Sequence, residues 1–183
     1  KNVLSSVNKC NDPEKISFLI KDGLDIGMNL SSNIILGLPE EGLRDFFKSY
    51  WLVVRLALIG LQEVNVFPFI PYPGSRLFED FYQKKIIALN DKYFFSLFGY
   101  ADLAQAISWS MRFGPRTLSF MRLTLILTFY SIMFLSHPVR LVRFIINTLK
   151  GIPATKLENV LSRIFKNIAI YFSCKKGYAR QNI

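Results

Sequence analysis

The chain has 183 residues, of which 51% are hydrophobic, 15% aromatic and 20% charged, which is enough apolar material for one domain or one domain with a small appendage. Two cysteines near opposite ends, Cys10 and Cys174, and the single His137 exclude a self-contained zinc site or a disulfide scaffold. The net charge of +10 favours an anionic partner. No nucleic-acid-binding motif accompanies it, so we expect no nucleic-acid partner.

The first part of the chain predicts a helix followed by a strand. Asp12 and Pro13 are a typical helix start, and Gly27 can end the helix. Apolar residues at helical spacing define its buried face: Ile16, Leu19, Ile20 and Leu24. The run from about 28 to 38 then predicts a strand without clean alternation, as expected when helices cover both faces of a sheet.

A second helix and a second strand follow. The helix is predicted from about 43 to 59 and ends at Gly60, and the strand runs from about 63 to 70. Pro71, Pro73 and Gly74 cannot continue a sheet, and Ser75 caps a short helix over 76–85. This order of elements indicates a parallel β-α-β unit, in which ligands gather at the carboxyl ends of the strands.

After about residue 90 the sequence predicts helices and no strand. Four helical segments are expected: 103–113, 117–135, 139–150 and 155–172. Each break between them is a helix stop: Gly114-Pro115, His137-Pro138 and Gly151-Ile152-Pro153. We therefore expect two domains, residues 1–90 and 91–183.

The helical part contains an uncharged run from Leu123 to Ser136 that is too short for a typical spanning helix. The next helix carries basic residues along one side, which are Arg140, Arg143 and Lys150. Its apolar residues lie along another side: Val142, Ile146 and Leu149. Two interpretations remain open here, a helical cap packed on the α/β part and an interfacial helix at a membrane surface.

Two runs of sequence resemble the radical S-adenosylmethionine (SAM) superfamily. Residues 27–40, GMNLSSNIILGLPE, resemble its fifth strand, which often reads AGI-x-V-S-A-N-F-I-I-G-L-P-G-E. Residues 67–78, FPFIPYPGSRLF, resemble the sixth strand and its exit loop, F-x-P-Y-P-G-T-x-L-Y. With Phe129-Tyr130 and the later residues 137–140, HPVR, the chain looks most like the cobalamin-binding branch, which includes relatives of the anaerobic magnesium-protoporphyrin ester cyclase.

The resemblance implies an α/β fold, the C-terminal part of a partial (β/α)6 barrel followed by an α-helical tail. It places SAM and a four-iron cluster at the carboxyl ends of the strands. The adenosine motif of the family, Gly-x-Ile-x-Gly-x-x-Glu, maps onto Ile35, Gly37 and Glu40, with Asn33 in place of the first glycine. At the second exit loop, Phe69 and Ile70 are expected to hold the nucleobase through main-chain groups. No catalytic residue is assigned.

The sequence departs from the family in lacking the Cys-x3-Cys-x2-Cys loop that binds the cluster, because its two cysteines stand 164 positions apart. Together with the first residue, Lys1, this absence leads us to expect a C-terminal fragment that holds no metal and is inactive alone. The missing front would carry the cluster and, in this branch, a cobalamin domain.

As part of such an enzyme, the chain would help cleave SAM to a 5′-deoxyadenosyl radical acting on an apolar small molecule, with an external reductant for the cluster. The alternative is a non-enzymatic helical protein associated with a membrane surface. No signal peptide is recognised, so the expected location is the cytoplasm, either free or peripheral to the membrane.

Overall fold

The computed structural model describes residues 13–98, 107–152, 155–164 and 167. These residues form a mixed α/β structure around a two-stranded parallel sheet. Its elements are α1 (Pro13–Asp25), β1 (Ser31–Leu36), α2 (Leu43–Ile59), β2 (Glu63–Pro68), α3 (Arg76–Gln83), α4 (Asp91–Ser96), α5 (Pro115–Ser136) and α6 (Pro138–Lys150). Residues 156–164 are also helical. The chain divides into two compact units between Met133 and Phe134.

Parallel pairing defines the sheet. The register runs from Ser31 opposite Glu63 to Leu36 opposite Pro68. A parallel pair needs a crossover connection, and α2 supplies it. The pairing continues beyond β2, because Phe69 N donates a 2.7 Å hydrogen bond to Leu36 O. Both strands therefore end at the same edge of the sheet, as the sequence predicts.

Local signals explain where the crossover begins and ends. Asp45 accepts a 3.3 Å hydrogen bond from Gly42 N at the start of α2. Gly60 closes the helix in the left-handed region, at φ 92°. The helix buries four of its residues, Phe46, Val53, Leu56 and Ala57. Gly42 and Gly60 lie directly before and directly after the helix that the sequence predicts over 43–59.

The two faces of the sheet differ in burial. Ile34 and Leu36 of β1, with Val64 and Val66 of β2, are buried in the core. The alternate residues of β1, Asn33 and Ile35, are exposed, whereas those of β2 are half-buried or, at Glu63, buried. Since successive side chains of a strand point to opposite faces, one face of this sheet is covered and the other, called the open face, is exposed along β1.

Helix α5 packs beside both strands. Leu118 lies against Gly37 at the end of β1, so close that a Cβ on Gly37 would be 3.0 Å from its methyl carbons. Arg122 is buried and its Nε donates a 3.2 Å hydrogen bond to Val66 O. By length and composition, α5 is the one helix in the described ranges that could cross a membrane. It is longer than the uncharged run from Leu123 indicates, because the helix begins eight residues earlier, at Pro115. These contacts agree instead with a helical cap on the α/β part.

Several element boundaries differ from the sequence analysis. The strands are shorter than predicted, 31–36 and 63–68, and α3 ends at Gln83. Helices α5 and α6 confirm two of the four predicted helical segments, and residues 156–164 confirm the start of the last. Its remainder, apart from Asn167, and residues 103–106 lie outside the described residues. The sequence analysis missed α4, which Asn90 caps by accepting a hydrogen bond from Tyr93 N.

The helix predicted over 103–113 is wrong in its described part, because residues 107–113 are not helical. Serine side chains replace the helical hydrogen bonds there. Ser108 Oγ donates to Phe113 O, and Ser110 Oγ accepts from Phe113 N at 3.3 Å. This segment and residues up to 133 lie in the same compact unit as the sheet, although the composition changes near residue 90.

The contact between Gly37 and Leu118 leads to a stability prediction. Gly37 and Gly74 both have left-handed backbones, at φ +83° and +82°, but a Cβ on Gly74 would meet open space. We expect Gly74→Ala to cost about 1–2 kcal/mol for the backbone alone, and Gly37→Ala to cost a further 1–3 kcal/mol or so because Leu118 must move. Unfolding by denaturant measures both, and equal costs would contradict the packing of Leu118 on Gly37.

Candidate functional site

The loop after β1 is closed by one buried carboxylate. Glu41 Oε2 accepts hydrogen bonds from Gly37 N at 2.6 Å and from Leu38 N at 3.1 Å. Glu41 N in turn donates to Leu38 O at 3.0 Å. Only 4% of the Glu41 residue surface is exposed. The carboxylate therefore satisfies two backbone donors that the turn would otherwise leave unpaired.

Burial dominates the electrostatics of this carboxylate. Desolvation raises the pKa of Glu41 above its ordinary value, and the nearby charge of Asp45 raises it further. The hydrogen bonds from Gly37 and Leu38 oppose that rise without cancelling it. The buried position of Glu41 thus has an electrostatic cost, and the two backbone hydrogen bonds offset part of it.

The segment 107–114 lies over the same loop. Met111 N donates to Pro39 O at 3.4 Å. The guanidinium of Arg112 lies on Gly42, where an added Cβ would be 2.8 Å from Nη1. Desolvation raises the pKa of Asp45, but the Gly42 hydrogen bond, Lys48 and Arg112 together lower it below its ordinary value. A segment distant in sequence therefore covers the turn between β1 and α2.

The loop after β2 is held by an aromatic cluster. Tyr93 Oη donates a 2.7 Å hydrogen bond to Pro71 O. Tyr93 packs with Phe78, Phe81 and Ile87, and Trp109 packs against this cluster. At the far end of the loop, Ser75 caps α3 by accepting from Phe78 N. The second exit loop is thus fixed at both ends.

Between these loops, the open face of the sheet presents amide and apolar side chains. Asn65 Nδ2 donates to Asn33 Oδ1 at 3.1 Å across the strands. The next pair toward the carboxyl edge is Ile35 opposite Phe67. Ile35 is 44% exposed and Phe67 is half-buried. An apolar surface beside a pair of amides can accept the face and the polar edge of a planar ring.

The predicted site residues occupy different positions. Asn33 and Ile35 lie together on the open face, and Phe69, half-buried, continues the alternation of Phe67. Ile70 is buried. The two predicted contacts in the first loop, Gly37 and Glu40, are separated from this face.

Gly37 is covered by Leu118, and its N–H is bonded to Glu41. Glu40 is exposed. Among the described residues, its carboxylate makes no hydrogen bonds to the loop like those that Glu41 accepts from Gly37 and Leu38. The sequence analysis therefore missed Glu41, for which the available signal was a carboxylate four residues after a glycine turn and directly before a helix. No local signal identifies Arg112, which reaches Gly42 across 70 residues of chain.

The described residues hold no cluster of histidine, cysteine, aspartate or glutamate that could bind a metal ion. Both cysteines lie outside the described ranges. The described residues therefore do not fit an iron–sulfur cluster, which needs thiolate ligands. What the site offers is a partly apolar surface between two loops that are held by hydrogen bonds.

No family model matches this sequence, and no curated protein or solved structure matches it either. The chemistry of the site is therefore inferred from its own residues. Those residues offer shape, apolar contact and amide hydrogen bonding on the open face. The buried carboxylate of Glu41 is engaged by the backbone of the loop.

The role of Glu41 is tested by alanine substitution at two adjacent positions. Glu41→Ala leaves the buried N–H groups of Gly37 and Leu38 unpaired, so we expect a loss of about 1–3 kcal/mol in the free energy of unfolding. Glu40→Ala is the matched control and should cost less than about 0.5 kcal/mol, because Glu40 is exposed. Equal losses would contradict the loop closure described above.

The raised pKa of Glu41 predicts a pH dependence. Between the ordinary and the raised pKa, the folded protein binds more protons than the unfolded chain, so the contribution of Glu41 falls as the pH rises through that window. Glu41→Gln removes the titration but keeps an acceptor oxygen. We expect the unfolding free energy of the wild type, relative to Glu41→Gln, to fall with rising pH and then level off. Denaturant unfolding over a pH series measures this difference, and a constant difference would contradict it.

Proposed function

We propose that this chain forms the S-adenosylmethionine side of a radical SAM barrel, the C-terminal part of a partial (β/α)6 structure. One observation carries the proposal. The two Gly/Pro loops that resemble this family leave parallel, adjacent strands at one edge of the sheet, joined by the hydrogen bond from Phe69 N to Leu36 O. In α/β structures that edge is where ligands bind.

The open face supplies the proposed adenosine contacts. Ile35, Phe67 and Phe69 form an apolar surface for the purine ring, and the amide of Asn33 can hydrogen-bond a polar edge. Gly37 and Glu40 have a different role in this proposal. The Gly37 N–H is taken by Glu41, so we assign this loop to the edge of the proposed site rather than to contact with the nucleoside.

The radical chemistry would require groups that the described residues do not provide. Three thiolates in one loop must hold the cluster, so reductive cleavage of SAM belongs to a protein that includes such a loop. The same holds for cobalamin, which the resemblance associates with a further domain. The part proposed for this chain is to bind and orient SAM beside an apolar substrate, and no residue is assigned as a general acid or base.

Binding of SAM to the 183-residue chain tests the proposal. We expect the backbone amide resonances of Ile35, Phe67 and Phe69 to shift in the 15N-labelled protein when SAM or 5′-deoxyadenosine is added. Both ligands share the adenosine that the open face is proposed to hold, so both should shift the same resonances. Free methionine should leave these resonances unchanged.

Matched variants sharpen this test. Ile35→Ser removes apolar contact from the open face and should weaken SAM binding by about tenfold. Leu58→Ser, at an exposed residue of α2, is the control and should leave binding unchanged. Shifts confined to residues away from the open face, or wild-type affinity in Ile35→Ser, would contradict the proposed site.

A further inference from the structure

The positive charge of the chain is concentrated in its second compact unit. Residues 134–183 contain nine basic residues and one acidic residue, a net charge of +8. Residues 1–133 contain fourteen basic and twelve acidic residues, a net charge of +2. The sheet and its candidate site therefore do not account for the basic surplus. An anionic partner is expected at the second unit.

Helix α6 in that unit has an exposed aliphatic stripe. At 3.6 residues per turn its aliphatic residues fall within an arc of about 160°. All six are exposed: Val139, Leu141, Val142, Ile145, Ile146 and Leu149. Leu149 is exposed by 74% and Val142 by 57%. Isolated exposed aliphatic residues are common, but a contiguous stripe along a whole helix indicates an interaction surface.

Basic residues border this stripe. Lys150, Arg143 and Arg140 fall within an adjoining arc of about 80°, and α6 contains no acidic residue. The remaining side of α6 packs within its own unit. Thr148 is buried and its carbonyl accepts a 3.1 Å hydrogen bond from Ser162 Oγ, while the Phe144 ring lies 5.1 Å from that of Phe134. The stripe is thus the exposed side of α6.

We propose that α6 lies on the surface of an anionic lipid membrane. The aliphatic stripe enters the boundary between headgroups and acyl chains, and Arg143 and Lys150 contact the lipid phosphates. The helix has 13 residues, about 20 Å, which is shorter than the hydrocarbon core of a bilayer and fits a helix parallel to its surface.

Charge and chemistry favour this partner over two others. A second copy of the chain would bring together two units of net charge +8, which repel each other. A nucleic acid would satisfy the basic residues but leave six aliphatic side chains in water. An anionic membrane is complementary to both features of α6. This inference does not depend on SAM binding, which concerns the first unit.

Flotation of the 183-residue protein with lipid vesicles tests the proposal. The vesicles contain phosphatidylcholine alone or with about 30 mol% phosphatidylglycerol, a charge density at which each basic residue adds appreciably to binding. We expect binding to the anionic vesicles, weakened by about 0.5 M salt, which screens the charges. Binding to neutral vesicles should be at least about tenfold weaker.

Two pairs of variants separate the stripe from its basic border. Leu149→Asp should reduce vesicle binding by more than about tenfold, because it places a charge in the apolar stripe. Leu58→Asp, at a residue of 56% exposure on α2, is its control and should bind as the wild type does. Arg143→Ala should reduce binding about fivefold, whereas Arg55→Ala, also on α2, should not change it. Circular dichroism verifies that each variant is folded.

The outcomes are decisive in either direction. Loss of binding in folded Leu149→Asp, with binding kept in Leu58→Asp, supports the membrane surface. Equal binding to neutral and anionic vesicles would overturn the proposal, as would wild-type binding by Leu149→Asp. If the protein does not bind the vesicles, and a fluorescein-labelled RNA duplex binds the wild type and Leu149→Asp equally, the basic surplus would be assigned to nucleic acid instead.

Discussion

Parallel pairing of β1 with β2 is the constraint on which the rest of the first unit depends. It requires a crossover, and α2 with its glycine ends supplies one. It also brings two irregular loops to the same edge, where each needs separate support. Glu41 supports the first from within, and Tyr93 supports the second from outside. Packing and hydrogen bonding at this edge are therefore consequences of the pairing.

The covered face and the open face of the sheet then take different roles. Helix α5 uses Leu118 and Arg122 to pack beside the strands, which explains how an apolar helix with a buried arginine is accommodated. The cost of burying this arginine is partly offset because its Nε–H donates to a strand carbonyl. The opposite face carries an asparagine pair and an Ile–Phe pair, of which Asn33 and Ile35 are exposed. That division leaves one surface of the sheet for a ligand, the surface on which the adenosine contacts are proposed.

Glycine and proline made much of this fold predictable. Gly60 ends α2 in a left-handed backbone, and β2 ends at Pro68, three residues before Pro71, where the sequence predicts that the sheet cannot continue. The segment 107–113 was mispredicted because Ser108 and Ser110 compete for backbone hydrogen bonds that a periodic apolar pattern does not reveal. In the site, the family resemblance names Asn33 and Ile35, and strand alternation puts both on one face of the sheet. The contacts of Arg112 with Gly42 and of Arg122 with Val66 join residues far apart in sequence, so local patterns could not identify them.

The most direct test of the central proposal, that this chain is the SAM side of a radical SAM barrel, is the coding sequence immediately upstream of Lys1. The proposal predicts an open reading frame that continues upstream and encodes a Cys-x3-Cys-x2-Cys loop, because the described residues supply no thiolates for a cluster. A start codon directly before Lys1, with no such cysteine triplet in frame, would contradict it.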